Sequence, residues 1–450
     1  MPLLCDMFER KLIDELTEWA GKPNRKPLVL RGARQVGKTT IVEQFAARFD
    51  EYLYLNLELP QNQEPFKRFT NLENLVQALF FLKNVSRKEG RTLIFIDEIQ
   101  EVPEAFWQLR YFYEQAPQYH VIAAGSLLET LFDSEKSFPV GRVDYKVVRP
   151  ASFPEFLKAT GEEAAFQQLE SVPIAEFAHD KLLSLFHTYT LIGGMPEVVS
   201  HYAQYRDLAA LKPIYDSLLA SYLEDVEKYA RTTAQVAVIR HAIRSAFYQA
   251  GKRISFANFG KSGYGSREMG EALRALEQAM LLHLVYPTVN TQPPALPDYR
   301  KSPRLQVLDT GLMNAFTGLQ PQVLTATDLN QIYHGTIAEH VVGQELLNLQ
   351  SGALSRLDFW VREKKSSSAE TDFLWPYETH LIPVEVKSGA AGKLRSLHQF
   401  MEQAPHGLAV RFYAGKFRTD NVKTPEEKHF RLISLPYYLT SKIEAYLAQV

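Results

Sequence analysis

Along residues 26–150, short apolar runs alternate with stretches in which apolar side chains recur every three or four residues. The runs are Leu28-Val29-Leu30, Tyr52-Leu53-Tyr54-Leu55, Leu93-Ile94-Phe95-Ile96 and Val121-Ile122-Ala123. Each is short, which suits a buried strand. Between them, Ile41/Phe45/Phe49, Leu72/Leu75/Val76/Leu79 and Phe106/Leu109/Phe112 fall on single helix faces. Strands alternating with helices predict a mostly parallel sheet covered on both sides. Upstream, Phe8, Leu12, Leu16 and Trp19 mark the stripe of an amphipathic N-terminal helix.

From Phe153 to about Tyr229 the periodicity is helical, broken at Gly193-Gly194-Met195-Pro196. Residues 235–290 read as helix, short polar turn, helix and the apolar strand Leu281–Tyr286, an order that resembles a winged helix. The stretch Thr291–Pro303 carries four prolines and reads as a connector. Beyond it, helices mix with the strand-like runs Leu357–Val361, Thr371–Trp375 and Leu381–Val386, and Lys364–Ser368 reads as a hairpin loop. The expected organisation is an N-terminal helix over 1–25, an α/β core over 26–157 and a helical lid-like segment over 158–232. A winged-helix-like module over 233–290 and a second α/β domain over 304–450 follow.

Composition adds constraints. With 450 residues, 46% hydrophobic and 23% charged, the chain is expected to be soluble and to contain several domains. Its net charge of −2 means that any nucleic-acid binding must come from local patches. The single cysteine, Cys5, rules out an internal disulfide and a cysteine-rich zinc site, and a reducing, cytoplasmic setting is expected. The N-terminus has acids within its apolar stretch, unlike a signal peptide, and no run approaches 18 apolar residues, so no membrane span is expected.

The first candidate chemistry lies between the first strand and the helix after it. Gly32-Ala33-Arg34-Gln35-Val36-Gly37-Lys38-Thr39 matches the phosphate-cradling pattern G-x4-G-K-[ST], with Thr40 completing the stretch. Glycines let the backbone wrap phosphates, and the helix N-terminus adds its dipole and free N–H groups. Lys38 is expected to reach the β- and γ-phosphates and Thr39 to place its hydroxyl on magnesium. The second element is Thr92-Leu93-Ile94-Phe95-Ile96-Asp97-Glu98, an apolar strand that ends in two acids. Asp97 is the expected metal ligand and Glu98 the expected general base for the attacking water. A whole strand–helix unit, Tyr52–Arg87, separates the motifs, and no Asn-Lys-x-Asp guanine-reading motif is present. The expected ligands are therefore ATP and Mg2+.

This arrangement resembles the additional-strand, catalytic-glutamate P-loop ATPases, and within them the AAA+ pattern. That pattern implies two further positions. Ser126 ends a strand where a polar side chain can hold the γ-phosphate or the water; as an alternative it caps the segment Leu127–Phe132. Arg142, in Gly141-Arg142-Val143, sits where the family carries an arginine finger; the other reading is a surface salt bridge.

A second constellation lies near the C-terminus, in Glu370-Thr371-Asp372-Phe373-Leu374-Trp375 and Ile382-Pro383-Val384-Glu385-Val386-Lys387-Ser388-Gly389. Asp372, Glu385 and Lys387 form the D…E-x-K pattern of the PD-(D/E)xK nuclease-like fold. Strand alternation places Glu385 and Lys387 on one face, opposite the valines, and Asp372 joins them if the preceding strand pairs as a hairpin. Two carboxylates could then hold magnesium while Lys387 orients water or stabilises phosphorane charge. Glu339, in Thr336-Ile337-Ala338-Glu339-His340-Val341-Val342, is a further candidate ligand. A strand pair with solvated Glu and Lys, or a nuclease-like domain without chemistry, reads almost the same.

Together these motifs resemble a prokaryotic group of AAA+ ATPases joined to a carboxy-terminal nuclease-like domain. Ser152-Phe153-Pro154-Glu155-Phe156 and Gly193-Gly194-Met195-Pro196-Glu197 extend the match, while Val147-Val148-Arg149-Pro150-Ala151 is less aliphatic than is usual there. The resemblance implies ATP binding and a cytoplasmic setting. It predicts an α/β protein with a P-loop ATPase sheet, a helical segment, a winged-helix-like module and a nuclease-like α/β domain. A helix that enters a major groove should not be net acidic. The presumptive recognition helix Ser266–Met280 holds Arg267 and Arg274 but also Glu268, Glu271 and Glu277, and Lys252, Arg253 and Lys261 add only a thin patch. Three functions follow: an ATP-hydrolysing switch acting on DNA or RNA, an ATP-controlled signalling or assembly scaffold with protein partners, and a ring-forming protein-remodelling motor.

Overall fold

The computed structural model describes residues 8–87, 89–126, 141–230, 232–320, 335–362, 369–387 and 394–449. Strands β1 (Leu28–Arg31), β2 (Glu51–Asn56), β3 (Thr92–Asp97), β4 (His120–Gly125) and β5 (Asp144–Val147) form one sheet, ordered β2-β3-β4-β1-β5. All neighbours run parallel. The alternation in the apolar runs explains the layering. Leu28, Leu30, Leu93 and Phe95 face a core shared with the helices Leu12–Gly21 and Lys38–Ala46. Val29, Ile94 and Ile96 face the opposite core under the helices Leu72–Leu82 and Pro103–Gln115. Because β4 lies between β1 and β3, the residues at their carboxyl ends open onto one edge of the sheet, where ligands of open parallel sheets bind.

The next region is helical, with Phe153–Ala159, Glu163–Glu170, His179–Ile192, Pro196–Tyr205, Lys212–Glu224 and Val226–Tyr229. The break at residues 193–196 is a tight packing point. A Cβ on Gly194 would lie 2.1 Å from the Ala151 carbonyl oxygen, so no larger residue fits. The helices Thr233–Gln249 and Ser266–Gln278 then lead into β6 (Leu282–Val285) and β7 (Pro287–Thr288). The connector brings the chain back, and β8 (Arg304–Val307) pairs antiparallel with β6, Leu282 opposite Val307. Residues 304–307, expected in the last domain, thus complete the small sheet of the module before it.

The run Leu357–Val361 contributes only the two-residue strand β9 (Phe359–Trp360), paired with β7. The last sheet contains β10 (Phe373–Tyr377), β11 (His380–Val386), β12 (Leu408–Tyr413), β13 (Arg418–Lys423) and β14 (His429–Pro436), ordered β10-β11-β12-β14-β13. The β10–β11 and β13–β14 pairs are antiparallel and the two central pairs parallel. Leu397, Phe400 and Met401 of the crossover helix Arg395–Gln403 pack with Leu374, Leu381 and Leu432. Val384, Val386, Val410 and Phe412 join the main core, to which the helix Thr336–Asn348 also belongs. Among the described residues, no helix is long and apolar enough to cross a membrane. The expected loop Lys364–Ser368 lies outside the described residues.

Candidate nucleotide site and a second acidic site

The loop after β1 is constrained by its glycines. A Cβ on Gly32 would sit 2.4 Å from the Val148 carbonyl oxygen, and Gly37 has φ +92°, in the left-handed region. Gln35 also has positive φ, +64°. The helix Lys38–Ala46 starts directly after Gly37, so its free N–H groups point into the loop. Lys38 is buried, and its Nζ donates to the carbonyls of Gly32 and Ala33, both at 2.9 Å. Burial lowers the Lys38 pKa, and the nearby Glu98 and Asp97 carboxylates oppose that shift.

The structure brings Asp97 to this loop. Thr39 Oγ1 donates to Asp97 Oδ2 at 2.6 Å, and the Tyr54 hydroxyl lies 3.4 Å from the same oxygen. Burial raises the Asp97 pKa, while the Thr39 hydrogen bond pulls it down. Glu98 follows with φ +51°, which turns the chain sharply out of the strand. Gln100 Nε2 donates to Glu98 Oε2 at 2.6 Å. Ser126 is buried at the end of β4, between the P-loop strand and the Asp97 strand. Its alternative, capping Leu127–Phe132, involves residues outside those described.

Arg142 is elsewhere. It pairs with Glu114 at 3.1 Å, with both side chains well exposed. Glu114 closes the helix that leads into β4 and Arg142 precedes β5, so the pair sits at the amino edge of the sheet, opposite the P-loop. Within one chain Arg142 is a surface ion pair and does not meet its own phosphate loop.

Two arginines tie the loop to its surroundings: Arg10, which motif reading missed, and Arg34, which it placed in the loop without these partners. Arg10 Nε pairs with buried Glu155 at 3.0 Å, and its Nη1 donates to the Val36 carbonyl at 3.2 Å. Arg34, inside the loop, pairs with Glu58 and Asp225, each at 3.1 Å, and so ties the loop to the helical region. Neither contact carries a local sequence signal, because each spans more than 20 residues.

The preceding strand does pair as a hairpin with the Glu385 strand, and it brings the carboxy-terminal candidates together. Phe373 pairs with Val384, which sets Asp372 across from Glu385. Asp372 Oδ2 accepts the Val386 N–H at 2.7 Å, and Lys387 Nζ lies 3.0 Å from Glu385 Oε1. Glu385 is buried, and its Oε2 has no hydrogen-bond partner. Burial raises the pKa of Glu385 and of Glu339, and the Asp372 charge adds to both shifts. For Lys387 burial acts downward, but Asp372 and Glu385 outweigh it and raise its pKa. Glu339 comes from the first turn of the helix Thr336–Asn348.

Sequence reading missed the counter-charge of this site. Arg304 Nη1 donates to the Asp372 carbonyl at 2.8 Å and lies 4.0 Å from its Oδ1. Its Nη2 donates to Glu370 Oε1 at 3.0 Å, and Arg253 lies 3.6 Å from Glu370 Oε2. An arginine opening the buried strand Arg304-Leu305-Gln306-Val307 was a usable signal, because buried arginines need partners. Among the described residues, no three His, Cys, Asp or Glu side chains converge as a ready-made metal-ligand set. Magnesium, however, is commonly held by one or two carboxylates plus waters, a demand that Asp372 and Glu385 with its unpaired oxygen fit.

Residues 24–157 match the AAA domain family (AAA_14). Residues 183–323 match a domain of unknown function (DUF8612), and residues 334–438 match another (DUF4143). With the P-loop and the five-stranded parallel sheet, the first match defines an AAA-type P-loop ATPase core in this chain. Among solved structures, the chain is similar to a Walker-type ATPase of Pyrococcus abyssi at 15% identity, over 69% of this chain and 96% of that one, with a TM-score of 0.47. It is also similar to the RuvB Holliday junction branch migration motor of Thermotoga maritima at 15% identity, over 62% of this chain and 90% of that one, with a TM-score of 0.28. No curated protein matches the sequence.

Proposed function

We propose that this chain is a magnesium-dependent ATP-hydrolysing switch whose nucleotide state governs a nuclease-like carboxy-terminal domain acting on DNA or RNA. The contact that carries the ATPase half is Thr39 Oγ1 to Asp97 Oδ2, beside the buried Lys38. A hydroxyl and a carboxylate in contact at a phosphate loop are the groups that would hold Mg2+. When bound, the ion supplies charge neutralisation on the β- and γ-phosphates. Lys38 leaves the Gly32 and Ala33 carbonyls to bind the same phosphates. Glu98 accepts the proton of the attacking water, whose oxygen bonds the γ-phosphorus as ADP leaves. Ser126 orients that water or the γ-phosphate. Arg142 acts only across an interface with a second copy, because its own P-loop lies at the other edge of the sheet.

Coupling between the sites is supported by a chain of contacts. Arg10 links the Val36 carbonyl to Glu155, and Glu155 Oε2 accepts from the N–H and hydroxyl of Ser152. The next residue, Phe153, donates its N–H at 3.1 Å to Glu345, on the helix that carries Glu339. In the acidic site, Asp372 and Glu385 would hold a divalent cation that activates water and screens a phosphodiester, and Lys387 would face the developing negative charge.

The helix Ser266–Gln278 is better suited to packing than to reading a groove. Its Arg267 is already paired with Glu271 at 3.2 Å. A second reading, an ATP-controlled scaffold whose last domain binds a protein partner, is favoured by the Lys387–Glu385 ion pair and by the lack of a converged ligand set among the described residues.

The deciding experiment is metal-dependent cleavage of mixed DNA and RNA substrates, with and without ATP, by wild type and Asp372→Ala. The nuclease reading expects cleavage that the variant loses and that ATP modulates. No cleavage by wild type in magnesium or manganese leaves the scaffold reading.

A further inference from the structure

A cavity of about 250 Å³ lies behind the P-loop, where the end of β1 and the residues after β5 meet the β6 module and the loop before β9. Arg31, Arg149, His283, Arg356 and Glu277 supply its charged and titratable lining. None of Lys38, Thr39, Asp97 and Glu98 borders it. Of these groups, Arg149 is the one left incompletely bonded.

Its Nη1 donates to His283 Nε2 at 3.4 Å, and its Nε is buried with no hydrogen-bond partner. His283 is held neutral by burial, with Arg149 adding to the downward shift of its pKa to about 3, so its ring can only accept this bond. The other charges are committed. Glu277 Oε1 accepts the Leu284 N–H at 2.7 Å, and Arg356 is 3.3 Å from Asp358 and donates to the Ala295 carbonyl. Burial alone pulls the Arg149 pKa down to about 10, and no carboxylate offsets it. The Arg149 side chain is half-buried, and its buried, orphaned Nε–H costs free energy until an acceptor meets it.

We propose that this cavity binds a small phosphate-bearing anion, with Arg149 as its principal ligand and Arg31 and Arg356 completing a positive wall. A phosphate offers several strong acceptor oxygens, and arginine's planar fork matches them. The volume suits a small molecule. The seat adjoins the back of the P-loop: the Val148 carbonyl faces Gly32, and the Arg149 carbonyl accepts from Arg10 Nη2 at 2.7 Å. Arg10 also holds the Val36 carbonyl, so an anion on Arg149 presses on the backbone that shapes the nucleotide loop.

The test uses the full chain carrying Lys38→Ala, which removes phosphate binding at the P-loop. Inorganic phosphate is titrated calorimetrically into this protein and into versions that add Arg149→Gln, Arg149→Lys or Ser355→Trp. Saturable one-to-one binding is expected for Lys38→Ala alone, weakened at least about tenfold by Arg149→Gln and less by Arg149→Lys. Ser355→Trp fills the cavity from its lining without touching a charge, and it should also weaken binding even if Arg149→Gln fails to fold. Absence of saturable binding, undiminished binding in Arg149→Gln or Ser355→Trp, or equal affinity for acetate would each overturn the assignment.

Discussion

The nucleotide site and the carboxy-terminal acidic site each set carboxylates beside a lysine, but they are built in opposite ways. At the first, the loop shape is local: Gly32 admits the Val148 carbonyl, Gly37 takes a left-handed turn, and the helix begins at the next residue. Asp97, Glu98 and Ser126 arrive from a distance, delivered by the parallel sheet. At the second, Glu339, Asp372 and Glu385 come from separate elements, and Arg304 from a fourth supplies the counter-charge. Backbone geometry fixes the first site. The second depends on long-range charge balance, and burial, with the Asp372 charge adding to it, raises the pKa of Glu339 and of Glu385. A site of the second kind should be easier to unfold by removing one charge, and a site of the first kind easier to silence without unfolding.

Substitutions can break this contrast. The largest effect is expected for Lys38→Ala, which should weaken ATP binding by at least about 100-fold while leaving the fold intact. Calorimetric titration with Mg-ATP reads the loss, and an unchanged far-ultraviolet dichroism spectrum checks the fold. Next is Arg304→Met, which strips the buried partner from Asp372 and Glu370. A stability loss on the order of 3–5 kcal/mol is expected, because uncompensated charges remain buried. Denaturant melts should show it, and whatever remains folded should still bind ATP. An unchanged melt would mean that Arg304 does not balance the acidic site.

The smallest effect comes from acid. His120, buried at the start of β4, has its pKa lowered to about 4, first by burial and then by Arg25. A folded value below the unfolded value near 6.5 means that the unfolded chain binds more protons between those pH values. This contribution is therefore present above about pH 6.5 and is lost as pH falls toward 4, by at most about 1.4 kcal/mol per pH unit for one proton. Melting temperatures at pH 7 and pH 5 should differ less in His120→Gln than in wild type.

Legibility in the sequence followed the same division. The P-loop, the strand ending in Asp97-Glu98 and the Asp372/Glu385/Lys387 hairpin were readable, because contiguous residues at strand or loop spacing define each. The break at Gly193–Pro196 was readable too, although its cause, the contact of Gly194 with Ala151, was not. Strands β12, β13 and β14 carry no motif, and the alternation of Phe430 and Leu432 in β14 is too short to single it out. The pairing of β8 with β6 was hidden by the proline-rich connector between them. Arg10, Arg34 and Arg304 act through partners from 24 to 191 residues away, a distance at which spacing carries no signal.

The most direct test of the account compares ATP binding and ATP turnover in wild type and Glu98→Gln, measured on the same preparations. Glu98 follows the strand that carries Asp97 to the P-loop and is the group assigned to take the proton from water. The account predicts that Glu98→Gln binds Mg-ATP like wild type and hydrolyses it at least about 100-fold more slowly. Turnover by Glu98→Gln at the wild-type rate would contradict it.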